Sequence, residues 1–272
     1  MTEKTSETAL KALTGWWQDM GVPPDPAIMR AFAKLAESPD LPSAKAQSQA
    51  APSGSAPQRR KTAKTLGTWI EEAKALAAAC QDITALAQAI SAFEGCPLKQ
   101  GCRNTVVFDG IIGAPIMVIG EGPGSDEDQI GKPFIGRAGQ LLDQMLASIA
   151  IYRSRNALIT NVNYWRPPRN RNPELEELAV CRPFVDRMIE LAAPKLVITA
   201  GAVPSQSLLD TKTGITRLRG NEKRFATPGG TVVPLIPILH PAFLLRRPQE
   251  KSRAWRDLLL IEERARALGA LD

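Results

Sequence analysis

Residues 115–128 read Pro-Ile-Met-Val-Ile-Gly-Glu-Gly-Pro-Gly-Ser-Asp-Glu-Asp, a short apolar run that ends in a glycine-rich turn and then in carboxylates. A run this short and this apolar predicts a strand buried on both faces, as in a parallel sheet covered by helices. Three more runs of the same kind follow, at Ala157–Thr160, Lys195–Thr199 and Val232–Leu239. Between them, helical spacing occupies Ala138–Ile149, Pro173–Leu191 and Val203–Leu209, the second opened by Asn172 as a cap and Pro173 in its first turn. Strand and helix in alternation imply right-handed crossovers. The predicted fold is therefore α/β: a three-layer α/β/α domain around a central, mainly parallel four-stranded sheet. In such open sheets ligands bind just beyond the carboxyl ends of the strands, so the segment after each strand carries the functional reading.

Outward from this core the chain divides. Residues 37–64 are rich in Ala, Pro, Ser and Gln with almost no large apolar side chain, and so bury too little surface to offset the entropy of ordering. They are read as a flexible linker between a small helical appendage at 1–36, anchored by Trp16 and Trp17, and the main domain at 65–272. That domain opens with an Ala/Leu-rich stretch of helical spacing, Leu66–Ala92, followed by a Cys-Pro-Leu turn at Cys96. The 272 residues suffice for one sizeable core. No apolar run approaches the ~20 residues of a membrane span. Glu3 and Glu7 break the apolar core a secretion signal needs, and four cysteines suit a reducing compartment, so a cytoplasmic monomer is expected. A net charge of +6 permits a polyanionic partner, and a single histidine excludes any mechanism or metal site that requires two.

The first strand runs into Gly120-Glu121-Gly122-Pro123-Gly124. A dinucleotide fingerprint is disfavoured there: its third glycine is Ser125, and Asp126, Glu127 and Asp128 stand where a pyrophosphate would meet the next helix. Glycines that let the backbone approach a planar ligand, with carboxylates to orient water or face a cation, are one reading. An ordinary tight turn with a solvated acidic cap is the other. The second strand ends at Asn161, whose amide sets an acceptor beside a donor and matches the N3–H and O4 edge of uracil, although an Asn at a strand end is also a common turn residue. The fourth delivers His240 to the same edge. Basic residues gather in three loops, Arg166/Arg169/Arg171, Arg217/Arg219/Lys223/Arg224 and Arg246/Arg247/Lys251/Arg253, as a phosphate-tracking surface or simply as solvated loop charge.

Five segments in this order, residues 120–146, 159–184, 196–209, 214–220 and 240–248, closely resemble the uracil-DNA glycosylase superfamily and within it the iron–sulfur type, family 4, of bacterial enzymes. The likeness covers about Leu66 to Leu268. It implies excision of uracil from DNA by hydrolysis of the N-glycosidic bond, with free uracil as product. It also implies roles by position. Gly120, Gly122 and Pro123 belong to the turn that contacts the flipped base, Phe134 stacks on it, and Asn161 reads it. His240 faces uracil O2, with Glu121 or Glu127 as the carboxylate near the sugar. From the basic loops, Arg166, Arg169, Arg217, Arg219, Arg246 and Arg247 are the expected DNA contacts, and the resemblance places Leu244 to Arg247 in the loop expected to enter the DNA.

The cysteines depart from that pattern. Where the family places four ligands of a [4Fe–4S] cluster, this chain has Phe93, Cys96, Trp165 and Cys181. Such a cluster is held by four thiolates, so the expectation drawn from the residues is a protein without cofactor or metal, in which Cys80 and Cys102 are alternative ligands or small buried side chains. A non-catalytic sensor of uracil or abasic DNA and a nucleotide-dependent α/β enzyme are the competing functional readings.

Overall fold

The computed structural model describes residues 64–272. The appendage expected at 1–36 and, Lys64 apart, the linker expected at 37–64 lie outside the described residues. The domain opens with helices α1 (Leu66–Ala79) and α2 (Ile83–Ala92). The sequence reads as one helical stretch here, but the chain breaks at Cys80 and restarts where the Asp82 carboxylate accepts the Ala85 N–H at 2.8 Å as a new cap.

Six strands follow: β1 (Phe108–Gly110), β2 (Ile116–Gly120), β3 (Ala157–Asn161), β4 (Leu196–Ala200), β5 (Lys223–Ala226) and β6 (Val232–Ile238), in the order β1-β3-β2-β4-β6-β5. The four inner strands are parallel and correspond to the four apolar runs. The edges add two short antiparallel strands, β1 on β3 and β5 on β6. β2, β3 and β4 are buried along their whole length.

Helices between the strands are α3 (Ser125–Ile130), α4 (Arg137–Ala147), α5 (Leu175–Ala192), α6 (Ala202–Leu209) and α7 (Ile215–Leu218), and α8 (Pro241–Arg246) and α9 (Lys251–Ala267) close the chain. On one face Met117, Ile119, Leu158, Val197 and Leu235 join the side chains of α1, α2 and α5 in a single apolar cluster. The alternate strand residues, among them Ile116, Val118 and Ile198, are fully buried toward the other face. There α9 packs on β6 and α4 buries Leu142, Met145 and Leu146. α5 starts two residues later than the expected Asn172 cap. Arg171 holds the Glu177 carboxylate in a two-pronged ion pair, and that carboxylate accepts the Glu174 N–H at 2.7 Å, so the cap is built from Glu174 and Glu177.

Arg219, expected on the DNA surface, is committed to the fold instead. Its Nε and Nη2 donate to Asp257 on α9 at 2.9 and 2.6 Å, and Asp257 is only 1% exposed. Burial pushes the Asp257 carboxyl up to about 6 in spite of that guanidinium. From the ordinary 3.8 up to about 6 the folded chain keeps a proton that the unfolded chain has released, so this group makes stability fall as pH rises through that window. Without Arg219 the ionised carboxylate is left buried and unpaired. Arg219→Ala should therefore cost ~3–5 kcal/mol at pH 7.5 and clearly less at pH 5, read as the urea midpoint at each pH. An equal loss at both would show that the Asp257 charge is not what Arg219 balances.

Candidate active site

Gly120 ends β2 in register with Asn161 at the end of β3. A Cβ at residue 120 would lie 2.4 Å from the Phe134 ring and 2.5 Å from Asn161 Oδ1, so only glycine lets the ring and the amide converge there. Asn161 is 1% exposed, and its Oδ1 is buried without a hydrogen-bond partner. Its neighbour Asn163 is spent: Nδ2 donates to the Trp165 carbonyl at 2.6 Å, and Oδ1 accepts from the Trp165 N–H at 3.3 Å. Buried polar atoms are nearly always paired, so the orphaned acceptor of Asn161 marks a place kept for something else.

The two glutamates of the turn divide into different roles. Glu127 Oε2 accepts from the Gly124 N–H at 3.0 Å, and Oε1 accepts from Ile135 and Gly136 at 3.0 and 2.9 Å. Its carboxylate is occupied by backbone and fastens the turn to the loop that carries Phe134. Asp128 is likewise structural, accepting from the backbone of Arg103 and Asn104. Glu121 is half-buried, and burial raises its pKa above the ordinary 4.5. Among the described residues its carboxylate makes no hydrogen bond or ion pair.

His240 faces Phe134, ring centroids 5.8 Å apart and planes 28° from parallel. Its backbone caps α8, and its Nδ1 accepts the Ala242 N–H at 3.1 Å. Nδ1 therefore carries the lone pair, which leaves Nε2–H as the donor of a neutral ring. Burial, with Arg246 nearby, lowers its pKa to about 4. Glu121, Gly122, Pro123, Phe134 and His240 line a cavity of about 590 Å³, with Asn170, Arg171 and Arg246 also on its wall.

The expected DNA contacts separate in the same way. Arg169, Arg217, Arg246 and Arg247 are exposed and make no ion pair among the described residues. Arg166 Nε bonds Asn170 Oδ1 at 2.7 Å, Arg171 is tied to Glu177, and Arg219 to Asp257. Leu244 does not project: it is 1% exposed beneath α8, because Pro241 and Leu244 form that short helix's inner face. Leu245, 40% exposed, is the apolar side chain this loop offers outward. The twin leucines at 244 and 245 are the sequence signal for it; which of the two points inward depends on how α8 packs.

Because His240 is the single histidine, one imidazole signal should report the site. In ¹⁵N NMR it should keep the neutral Nε2–H form from pH 8 to 5 and titrate near 4, not 6.5. Stability should correspondingly fall as pH drops from 6.5 to about 4, because the unfolded chain takes up a proton that the folded ring refuses. This part of the pH dependence should disappear in His240→Gln, and a titration at 6.5 would remove the neutral donor.

A family model described as the Uracil DNA glycosylase superfamily matches residues 108–259. Relatives named type-4 uracil-DNA glycosylase include one from Thermotoga maritima, 40% identical over 58% of this chain and 80% of the relative. Others come from Archaeoglobus fulgidus, 38% identical over 62% and 85%, and Pyrobaculum aerophilum, 33% identical over 66% and 92%. These relatives overturn the expectation of a cofactor-free protein: they carry the name of the type whose likeness implies a [4Fe–4S] cluster. The side chains present do not make up a four-thiolate set. Cys96 and Cys181 hold two of the positions, both buried and hydrogen-bonded to each other. Phe93 packs edge-on between Trp69 and Phe184, and Trp165 is fully buried, its Nε1–H donating to Thr105 Oγ1 at 3.0 Å. Cys102 and Cys80 bond backbone carbonyls, and no group of three or more candidate ligands forms among the described residues. A family match over more than half of the chain, with relatives of this identity aligned over at least four-fifths of their own length, means that the chain belongs to the uracil-DNA glycosylase superfamily, in its type-4 family.

Proposed function

We propose that this protein excises uracil from DNA, hydrolysing the N-glycosidic bond and leaving an abasic site for base excision repair. The observation that carries the reading at this site is the orphaned Oδ1 of Asn161, buried beside the Phe134 ring at the carboxyl edge of the sheet. A flipped uracil supplies what that amide lacks, an N3–H for Oδ1 and an O4 acceptor for Nδ2, while its ring stacks on Phe134. Cytosine presents N3 as an acceptor and an amino group at C4, the wrong way round for this amide.

As the C1′–N1 bond breaks, its electron pair leaves with the base and spreads to O2, and positive charge gathers on the sugar. The Nε2–H of neutral His240 is the donor for O2, and being uncharged it keeps its proton without binding the ground state through net charge. Glu121 is the carboxylate for the sugar side. Water adds to C1′ as the bond breaks, its proton passes to Glu121, and the departing uracil anion takes up a proton from solvent to become free uracil, after which Glu121 releases its own. Glu127 holds the turn and takes no part in the transfer. Arg169, Arg217, Arg246 and Arg247 are the cations left for phosphates, with Leu245 among them to fill the gap left by the flipped base. The described cysteines are all free, which suits a reducing, cytoplasmic setting. No described helix is long and apolar enough to cross a membrane.

The test is incubation with a uracil-containing oligonucleotide followed by alkali. The wild-type protein should yield a strand break at uracil and none at cytosine; tight binding without a break would make it a sensor instead. Under single turnover, His240→Ala and Glu121→Gln should each lower the rate by roughly 10²–10³ with affinity nearly unchanged, because both groups act mainly in the transition state. The pH profile assigns the carboxylate. The rate should rise with pH through a limb above 4.5, and that limb should vanish in Glu121→Gln; a limb surviving there would shift the role to another group.

A further inference from the structure

Phe134 carries the stacking ring, yet its backbone is in the left-handed region, φ 52°, which residues with a side chain rarely adopt. Something must hold it there. α4 supports it from one side: a Cβ on Gly139 would come within 2.0 Å of the Phe134 carbonyl, so the helix is pressed against that peptide. From the other side comes Arg153, in the turn before β3. Its Nη2 donates to the Phe134 carbonyl at 2.7 Å, and its Nη1 donates to the Pro133 carbonyl at 3.1 Å. The same guanidinium is fixed in turn by Asp143 on α4 through Nε at 2.9 Å and by Asp109 on β1 through Nη1 at 3.0 Å. Lys132 pairs with the free oxygen of Asp109 at 3.1 Å, which closes the bracket over the Phe134 loop.

Taking Phe134 as the base-stacking ring of the function proposed above, we infer that Arg153 is its positioning residue. The bracket of Arg153, Asp109 and Asp143 holds two successive carbonyls, at 133 and 134, and so fixes the peptide from which the ring projects over Gly120. A planar five-donor fork can hold two carbonyls and two carboxylates at once; an ammonium cannot. Arg153 reaches no part of the cavity itself. It acts through Phe134 alone, and that gives the inference its test.

In a double-mutant cycle, Arg153→Met should lower the single-turnover excision rate roughly tenfold in the wild-type background but less than twofold in Phe134→Ala, because contacting residues couple while independent sites add. Arg153→Lys should fall between Arg153→Met and the wild type. If Arg153→Met does not fold, Asp143→Asn, at a side chain 44% exposed, loosens the same guanidinium and goes through the same cycle with a smaller factor. The same factor lost with and without the Phe134 ring would overturn the positioning role and leave only a structural ion pair. A wild-type protein that binds but never cuts would remove the proposed excision and this role with it. The wild-type arm therefore separates the two failures.

Discussion

One carboxylate joins the two halves of the slot. Glu127 sits in the first turn of α3, where a negative charge is favoured by the helix N-terminus, and reaches back to the Gly124 N–H as the third residue of a cap does. Its second oxygen takes the N–H groups of Ile135 and Gly136. The glycine turn after β2 and the loop bearing Phe134 are thereby one rigid body, although their sequences are separated by a helix. Three N–H donors also consume the charge, so the carboxylate is unavailable for chemistry. Anchoring and, in the function proposed, reactivity thus fall to different glutamates six residues apart.

Electrostatics follow the same division. Inside the slot the ring of His240 is held neutral by burial, and Glu121 is desolvated without a partner. Outside it, unpaired arginines keep their charge in water. A low dielectric magnifies the interaction of a fixed N–H with charge developing on a base, whereas exposed cations act over a longer range and weaken with salt. A protonated histidine would blur that separation by adding a net charge where only a dipole is wanted. The bond from Ala242 N–H to Nδ1 prevents it structurally, since that nitrogen already accepts a hydrogen bond.

What could be read from the sequence follows from how locally each feature is encoded. The four parallel strands are legible because a strand buried on both faces is largely apolar, and the runs that make β2, β3, β4 and β6 are, with the polar Thr160, Asn161 and Thr199 confined to the carboxyl-end part of β3 and β4. β1 and β5 are not: three and four residues at the sheet edges, one of them alternating around a buried Phe225, carry little pattern of their own. Asn161 and His240 are marked by their positions after strands, and Phe134 by the resemblance alone. The division between Glu121 and Glu127 was not readable, since it depends on which backbone N–H groups a carboxylate meets. The pairing of Arg219 and the burial of Leu244 are unreadable for the same reason. A charge partnered by Asp257 38 residues away, and a leucine turned under its helix, look in sequence like any loop arginine or loop leucine. Arg153 left no signal beyond a basic residue in a turn.

Unsatisfied groups are not spread evenly through the domain. Among the described residues, buried polar side chains away from the slot are paired apart from the Tyr164 hydroxyl: Asp128 with backbone, Glu177 with Arg171, Asp257 with Arg219, Thr199 with Ser205. Four departures meet at the carboxyl edge of the sheet, where Asn161 Oδ1 has no partner, Glu121 is desolvated alone, the pKa of His240 is depressed and Phe134 has a positive φ. Each lowers stability, and folding alone gives no reason for four such costs to fall together. Another orphan, the Tyr164 hydroxyl, lies outside this edge next to Trp165. In the function proposed, a bound uracil relieves the shortfall at the sheet edge directly, since its N3–H and O4 complete the amide and its O2 completes the histidine. On that proposal the stability withheld from the slot is recovered on binding, most fully by the one pyrimidine whose edge matches the amide, and the same omissions that weaken the fold give the site its selectivity.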